Sequence, residues 1–389
     1  RITMIVNTNH RFPNNVMNSR KYKFPVVSIH DFKRKMYLQK VADTTDKLFH
    51  DTFISFTAPK VTAKQRFSAI LGSRLTYGRY YSIVSEFLER CIDQLEFIDD
   101  ISTKLEEIDE NGNFDFLHTG AVVSHTKMLS LVEKFYSGFD EELYQVFSSV
   151  YKDRHHNLRF IEPEDNKDKK SNGTTLFIDG VKANFISICD IGNVDNYGCC
   201  VHEYGHTLQN MVNPEVSYSD REDFFIEVAS IFPELVAMYE NSGDLDETEV
   251  AYYLYTTITE NLNSAEFLTL HTPLVNAWAD HKYVMSNKFF DEIDETYDID
   301  EECFEKALST TIEDEGVYVL SFIVSLELFH IYKQDKRKAL ELFKKFLTFP
   351  AKEDILTFVL ENFSLNEHAN EEIGIMLKDF NKKLEKRRI

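Results

Sequence analysis

The sequence predicts a mainly α-helical protein with one small β-hairpin. Hydrophobic residues make up 43% of the 389 residues, which is enough for a large buried core. Apolar residues recur at helical spacing over most of the chain, for example at Ile83, Phe87, Cys91 and Leu95. One short segment after residue 170 has the alternation and the turn residues of a hairpin instead.

The predicted helices lie on both sides of this hairpin. Before it, helical patterns cover residues 67–108 and 124–151, and Asp109-Glu110-Asn111-Gly112-Asn113 separates them as a loop. After residue 240, helical patterns cover residues 247–269, 275–295, 301–310, 318–347 and 371–388. We expect residues 1–160 to form a helical N-terminal region and residues 161–389 to carry the functional site.

Residues 173–190 carry the hairpin signals. Thr174 to Ile178 is β-prone, Asp179-Gly180 favours a tight turn, and Asn184 to Ile188 alternates after it. An exposed strand edge can bind an extended peptide through main-chain hydrogen bonds. Two interpretations stay open, a peptide-binding edge and an ordinary structural hairpin.

The pentapeptide His202-Glu203-Tyr204-Gly205-His206 is the strongest functional signal in the chain. Residues i and i+4 share one helix face, so both imidazoles can bind one metal ion. Glu203 lies on the adjoining face, where it can accept the proton of a water activated by the metal. The pattern also arises by chance in chains rich in His and Glu, so its context decides how it is interpreted.

The following segment supplies a third candidate ligand. A catalytic zinc ion takes three protein ligands and leaves one coordination position open. Glu227 lies in the apolar segment 224–234, and Ser230 and Glu234 share its helix stripe. A buried carboxylate needs a partner, and a metal ion is one. We predict Glu227 as the third ligand, with a solvent-facing Glu227 as the alternative, and Glu234 or Ser230 as the residue that orients the imidazoles.

These motifs resemble the oligoendopeptidase F and thimet oligopeptidase family of zinc metallopeptidases. As in that family, an H-E-x-G-H segment is followed by Glu227-Val228-Ala229-Ser230-Ile231-Phe232-Pro233-Glu234. Upstream, Lys170-Ser171-Asn172-Gly173 is similar to the family's Lys-x-x-Gly segment, and Phe185-Ile186-Ser187-Ile188-Cys189-Asp190 is similar to its strand before the zinc helix. The resemblance is good over residues 139–240 and thin outside them.

The resemblance implies a helical zinc endopeptidase that cleaves short peptides at the bottom of a deep channel. His202, His206 and Glu227 would bind one Zn²⁺ ion, and Glu203 would act as the general base. Residues 1–160 would form one wall of the channel. Members of the family usually have a longer N-terminal portion, so we expect a more open channel here.

The sequence departs from the family pattern at residues 312–322. The family has a His and several Tyr there, whose donors stabilise the oxyanion formed at the scissile carbonyl. Tyr318 matches one Tyr and is the predicted donor, whereas Ile312, Leu320 and Phe322 stand where further donors are expected. Three other residues could supply the donor, each with a structural role as the competing interpretation: His271, His281 and Tyr283.

The composition limits the binding partners and the cellular location that we expect for the protein. The net charge of −22 opposes binding to nucleic acids and anionic membranes, and it favours solubility or the attraction of cationic peptides. Five scattered cysteines in a large chain indicate reduced thiols and a cytoplasmic location. We expect no bilayer-spanning apolar run, and residues 1–10 lack a signal-peptide core. The chain starts at Arg1, so the question of whether an upstream segment has been removed stays open.

Two other functions stay open. A zinc aminopeptidase uses the same ligand set, but the chain lacks a Gly-x-Met-Glu-Asn segment of the kind that grips a free amino terminus. A non-catalytic peptide-binding protein of the same fold would fit the altered residues around Tyr318. Glu203 favours catalysis, because a purely structural zinc ion needs no general base.

Overall fold

The chain folds mainly into α-helices, as predicted, with a small sheet beside them. The computed structural model describes residues 63–110, 123–161, 173–178, 183–191, 194–215, 224–240, 243–281, 289, 291, 301–350 and 353–387. The helices within these residues are α1 (Ala63–Arg90), α2 (Ile92–Glu110), α3 (His125–Phe139), α4 (Glu141–Tyr151), α5 (Arg154–Asn157), α6 (Val194–Val212), α7 (Val228–Tyr239), α8 (Glu247–Asp280), α9 (Glu301–Ser309), α10 (Glu315–Gln334), α11 (Lys336–Leu347), α12 (Ile355–Asn362) and α13 (Ala369–Arg387). The strands are β1 (Leu158–Ile161), β2 (Gly173–Ile178) and β3 (Ala183–Cys189).

The three strands form one sheet in the order β1-β3-β2. β2 and β3 are antiparallel, with Thr175 opposite Ile186, so the predicted hairpin is confirmed. Its turn, residues 179–182, lies outside the described residues. β1 runs parallel to β3 and was not predicted, because its four residues are too few to show an alternation. All seven residues of the central strand β3 are buried.

The main hydrophobic core lies around α6, α7, α8 and α10. α7 packs against the other three, and α8 also packs against α6 and α10. The core extends from Tyr81 in α1 to Leu384 in α13. Every residue from Val228 to Met238 of α7 is buried, which agrees with the apolar composition of this helix. The helix at the centre of the fold is therefore the one that follows Glu227. The predicted boundary near residue 160 stays a prediction.

Helix α10 is more apolar than the sequence analysis expected. Among the described residues it is the one helix that, by length and composition, is long and apolar enough to cross a membrane. The expectation that no apolar run approaches this length was therefore wrong. In the fold, 78% of the most apolar 18-residue stretch of α10 is buried, as in the core helix of a globular protein.

A second, smaller core lies where α1, α8 and α9 meet. Phe67 of α1, Trp278 of α8 and Phe304 of α9 contribute to it. α8 continues through Pro273, although the sequence patterns predicted separate helices on either side of residues 270–274. Packing on both cores compensates for the main-chain hydrogen bond that a helical proline removes.

Helix α12 was not predicted from the sequence, because its eight residues are too few to show a clear helical period.

Helix α6 is held at its start and in its middle by side-chain hydrogen bonds. Asp190, just after β3, accepts a hydrogen bond from Nδ2 of Asn196 at 2.5 Å, and its other oxygen lies 2.6 Å from Nε2 of His125. The Tyr136 hydroxyl of α3 donates to the carbonyl of Val201 at 2.8 Å. These contacts fix the start and the middle of the helix that carries the His-Glu-x-x-His motif.

Candidate metal centre

The two histidines of the motif and Glu227 converge on one point. Their potential ligand atoms all lie within 4.8 Å of one another. Oε2 of Glu227 is 3.2 Å from Nε2 of His202 and 2.9 Å from Nε2 of His206. The Glu227 side chain is fully buried, whereas the imidazoles are 18% and 16% exposed. The fold thus brings together the three ligands that the sequence predicts, with one side open to solvent.

Gly205 allows this convergence, because it lets α6 and α7 approach closely. A Cβ atom at this position would lie 2.3 Å from the carbonyl oxygen of Ala229 and 2.7 Å from Cα of Ser230. Real Cβ atoms do not come this close to a backbone, so any side chain here would push the helices apart. The glycine between Glu203 and His206 is therefore a packing requirement of the site.

Glu227 lies one residue before α7 rather than within a helix, as the sequence analysis placed it. It occupies the N-cap position with helical torsion angles (φ −77°, ψ −7°). The positive end of a helix dipole stabilises a carboxylate at this position. The Ser230 hydroxyl donates a hydrogen bond to Oε2 of Glu227 at 2.9 Å. Ser230 therefore positions the carboxylate ligand, and it does not contact an imidazole through this hydroxyl.

Glu234 is the residue that orients His202. Its Oε2 lies 2.8 Å from Nδ1 of His202, which leaves Nε2 of that ring to face Glu227. Oε1 of Glu234 accepts a hydrogen bond from the Tyr253 hydroxyl of α8 at 3.0 Å. Burial, and then the negative charge of Glu234, raise the pKa of Tyr253 well above its ordinary value, so this hydroxyl keeps its proton and donates. Carboxylates behind metal-binding histidines fix the ring orientation in this way.

Tyr253 was missed by the sequence analysis. It lies 19 residues after Glu234, on a helix whose tyrosines Tyr252, Tyr253 and Tyr255 look alike in the sequence. Nothing in the local pattern distinguishes the one that faces the metal centre. Only the packing of α8 against α6 and α7 shows which one it is.

Glu203 is buried beside the ligands. Its side chain is 4% exposed, on the helix that presents His202 and His206. The Thr175 hydroxyl of β2 lies 2.5 Å from Oε2 of Glu203. The predicted hairpin therefore lies next to the predicted general base.

The cysteines near the motif are packing residues. Cys199 and Cys200 are both buried. Burial raises the pKa of the Cys200 thiol well above its ordinary value. The Cys200 sulfur lies 4.0 Å from the sulfur of Met128, on the side of α6 that packs against α3.

Tyr318 lies on α10 with 40% of its surface exposed. One helical turn later, the Ser321 hydroxyl donates to the carbonyl of Phe224 at 3.4 Å, which brings this face of α10 next to the turn before Glu227. Leu320 and Phe322 are fully buried. The role of Tyr318 as an oxyanion donor stays a prediction.

The surroundings of His271 indicate a structural role. It is fully buried, with Nε2 2.8 Å from the carbonyl of Ala307 and Nδ1 3.0 Å from the Tyr81 hydroxyl. Because a carbonyl only accepts, Nε2 carries the proton and Nδ1 accepts from Tyr81. Burial lowers the pKa of His271 to about 4. Of the other alternative donors, His281 packs against Phe289 at the end of α8, and Tyr283 lies outside the described residues.

A second group of potential ligands is less suited to a metal ion. His330, His368 and Glu371 also bring ligand atoms within 4.8 Å of one another. The two rings stack at 3.9 Å with an interplanar angle of 8°. A metal ion lies in the plane of an imidazole that binds it, and two parallel planes do not meet, so the rings would have to rotate. Nδ1 of His330 lies 2.7 Å from Glu372, which holds the present orientation.

Structural comparison finds solved proteins with a similar fold. A protein from Bacillus anthracis described as an oligoendopeptidase F superposes with a TM-score of 0.51 and 15% identity, over 90% of this chain and 62% of its own. A protein from Chlamydophila abortus described as a peptidase gives a TM-score of 0.57 and 12% identity over the same shares. For PZ peptidase A with an inhibitor, the TM-score is 0.53 at 15% identity, over 82% of this chain and 64% of its own. The chain has the fold of these peptidases.

The resemblance that the motifs predicted is therefore confirmed at the level of the fold. The chain spans about 62% of the length of the first two of these proteins. By sequence, no family model matches the chain, and no curated protein matches it either. The similarity to these peptidases is thus visible in the short sequence motifs around the candidate metal centre and not in the rest of the sequence.

Proposed function

We propose that the chain is a zinc-dependent endopeptidase that hydrolyses short peptides. The observation that carries the proposal is the convergence of His202, His206 and Glu227 beside a buried Glu203. This set of two imidazoles, one carboxylate ligand and one further carboxylate is typical of metallopeptidases. The peptidase fold supports the same function.

The donor set fits zinc. Nitrogen donors from two histidines and one carboxylate oxygen suit a tetrahedral ion with one open position. Both imidazoles are partly exposed, so an open position on the ion would be accessible to a substrate. When bound, zinc polarises a carbonyl group and lowers the pKa of a water molecule toward neutrality. Glu234 and Ser230 would hold the ligands in place.

Glu203 would carry the proton through the reaction. It accepts a proton from the attacking water and returns it to the amine that leaves when the peptide bond breaks. The low exposure of its carboxylate keeps bulk water away from this transfer. Tyr318 would donate a hydrogen bond to the oxyanion, an assignment that rests on the motif resemblance and on the proximity of α10 to Phe224.

The substrate would be an extended peptide of low sequence specificity. Among the strands that the structure describes, β2 lies at an edge of the sheet and contacts Glu203, so a peptide paired with this edge would pass close to the metal. Main-chain hydrogen bonds of this kind do not depend on the side chains of the peptide. The net charge of −22 would favour cationic peptides over nucleic acids.

A non-catalytic peptide-binding protein is the second candidate. Leu320 and Phe322 are apolar and fully buried, so they cannot replace the donors that the family pattern has in this region. A protein that has lost oxyanion donors could still bind zinc and peptides.

Cleavage of a peptide blocked at both ends separates these functions. The test compares the zinc-loaded protein, Glu203→Gln and the control Glu106→Gln, which alters an exposed carboxylate on α2. We expect internal cleavage by the wild type and by the control, and a loss of about a hundredfold or more in Glu203→Gln at equal zinc content. Trimming of peptides with a free amino terminus alone would identify an aminopeptidase. Full zinc content without any cleavage would favour the binding protein.

A further inference from the structure

Strand β2 lies against the Glu203 carboxylate. The Thr175 hydroxyl lies 2.5 Å from Oε2. On the same side of the strand, a Cβ atom at Gly173 would lie 2.6 Å from Oε1 and 2.6 Å from Cγ of Glu203. The absent side chain of Gly173 therefore makes the space in which the carboxylate lies.

The side-chain alternation of β2 separates the residues that contact Glu203 from those that do not. Residues i and i+2 of a strand share a face, so Gly173 and Thr175 both face α6. Thr174 points to the opposite side and is exposed. Two adjacent threonines thus have the same β propensity and different surroundings.

The Thr175 hydroxyl has two possible acceptors but one proton. It lies 2.5 Å from Oε2 of Glu203 and 3.1 Å from the main-chain carbonyl of the same residue. A charged carboxylate is the stronger acceptor and gives the shorter hydrogen bond. The carbonyl has another donor, since the Thr207 hydroxyl lies 3.2 Å from it. The proton of Thr175 therefore goes to the carboxylate.

We propose that Thr175 is a positioning residue for Glu203, an inference that rests on the proposed peptidase function. The hydrogen bond fixes Oε2, and the space above Gly173 receives Oε1, so the carboxylate is held in one orientation beside the metal ligands. A glutamate side chain has several rotamers of similar energy, and each one that misplaces the base lowers the rate. β2 thus sets the position of the base.

The test uses a pair of substitutions that differ in one oxygen atom. Thr175→Ser keeps the hydroxyl, whereas Thr175→Ala removes it, and Thr174→Ala is the control on the other face of the strand. The zinc content, the midpoint of thermal unfolding, kcat and KM for the blocked peptide are measured for each. The visible absorption spectrum of the cobalt-loaded proteins gives a readout that does not need turnover.

We expect kcat to fall about tenfold to a hundredfold in Thr175→Ala at unchanged zinc content and nearly unchanged KM. Thr175→Ser should recover most of kcat, and Thr174→Ala should match the wild type. An equal loss in Thr175→Ser and Thr175→Ala would overturn the proposal, because packing rather than the hydroxyl would then matter. A normal kcat in Thr175→Ala would overturn it as well.

The cobalt spectrum separates a failure of this inference from a failure of the peptidase proposal. If none of the proteins cleaves the peptide, the proposed peptidase function is wrong. The spectra alone then test whether Thr175 positions Glu203. A displaced Glu203 changes the polar surroundings of the open coordination position. We therefore expect altered absorption bands in Thr175→Ala and wild-type bands in Thr175→Ser and Thr174→Ala. Identical bands in all of them would reject the positioning role.

Discussion

The Tyr253 hydroxyl and the Glu234 carboxylate form a 3.0 Å hydrogen bond directly behind His202. This contact leaves Glu234 one oxygen for the imidazole and holds it there. Loss of such supporting contacts behind a metal ligand typically costs about tenfold to a hundredfold in metal affinity. We expect that loss of zinc affinity in Tyr253→Phe, measured by competition with a chromophoric chelator.

Tyr255→Phe is the matched control for this substitution. It lies on the same helix, and its hydroxyl is 2.9 Å from the Ser102 hydroxyl, away from the metal centre. Its zinc affinity should equal that of the wild type. Equal affinities in all three proteins would show that Glu234 orients His202 without help from Tyr253.

Gly205→Ala should destabilise the fold and weaken zinc binding together. The added methyl group would meet the backbone of Ala229 and Ser230, and backbone atoms cannot rotate away as a side chain can. Overpacking of this kind costs about 1–3 kcal/mol. Separation of α6 from α7 would also move the His pair away from Glu227. Urea unfolding and zinc titration measure the two effects.

Gly138→Ala gives the comparison for a glycine without neighbours. Gly138 lies in α3, and a Cβ atom there would have no atom within 4 Å. Alanine is favoured over glycine in helices by up to about 1 kcal/mol. The free energy of unfolding should stay equal or rise, with unchanged zinc affinity. A similar loss in both variants would refute the close approach at Gly205.

Tyr318→Phe tests the remaining member of the predicted site. If Tyr318 donates to the oxyanion, kcat should fall about a hundredfold while zinc content stays the same. Tyr239→Phe is a suitable control, because Tyr239 is also exposed and lies at the far end of α7. An unchanged kcat in Tyr318→Phe would assign the oxyanion donor to another residue.

His271 should make the metal-free protein less stable in acid. The folded protein holds its pKa at about 4, whereas an imidazole in the unfolded chain has a pKa near 6.5. As the pH falls below about 6.5, the unfolded state takes up a proton that the folded state does not, so stability is lost down to about pH 4. This contribution reaches about 2 kcal/mol near pH 5.

Urea unfolding at about pH 7.5 and pH 5 measures this loss. Other groups also titrate over this range, so the comparison is with His271→Gln, which cannot take up the proton. The pH-dependent loss should be smaller in the variant by about 2 kcal/mol. Equal losses would mean that His271 is protonated in the folded protein.

The convergence of the three candidate ligands could be predicted from the sequence because their spacing follows from local geometry. His202 and His206 share a face on any helix, and Glu227 is conspicuous as a carboxylate in an apolar segment. The hairpin was also predictable, since strand alternation and turn residues are local features. In each case, neighbouring residues alone carry the signal.

The contacts that complete the site could not be predicted, because they join distant parts of the chain. Tyr253 reaches Glu234 from another helix, and Thr175 reaches Glu203 across 28 residues. The N-cap position of Glu227 depends on where α7 begins, and helix ends are the least certain feature of a sequence pattern. A tyrosine or threonine has no local mark that distinguishes a hydrogen bond at a metal centre from one elsewhere.

The candidate ligands come from α6 and from the residue before α7, so metal binding by this set would be part of the folding equilibrium. The His pair on α6 meets Glu227 only when α7 has packed against α6. Zinc bound by this set would therefore favour the folded chain over the unfolded one, and at a free concentration of about a hundred times Kd it would add about 2.7 kcal/mol to stability. A chelator would act on this protein as a mild denaturant, and zinc starvation would shorten its lifetime in the presence of proteases.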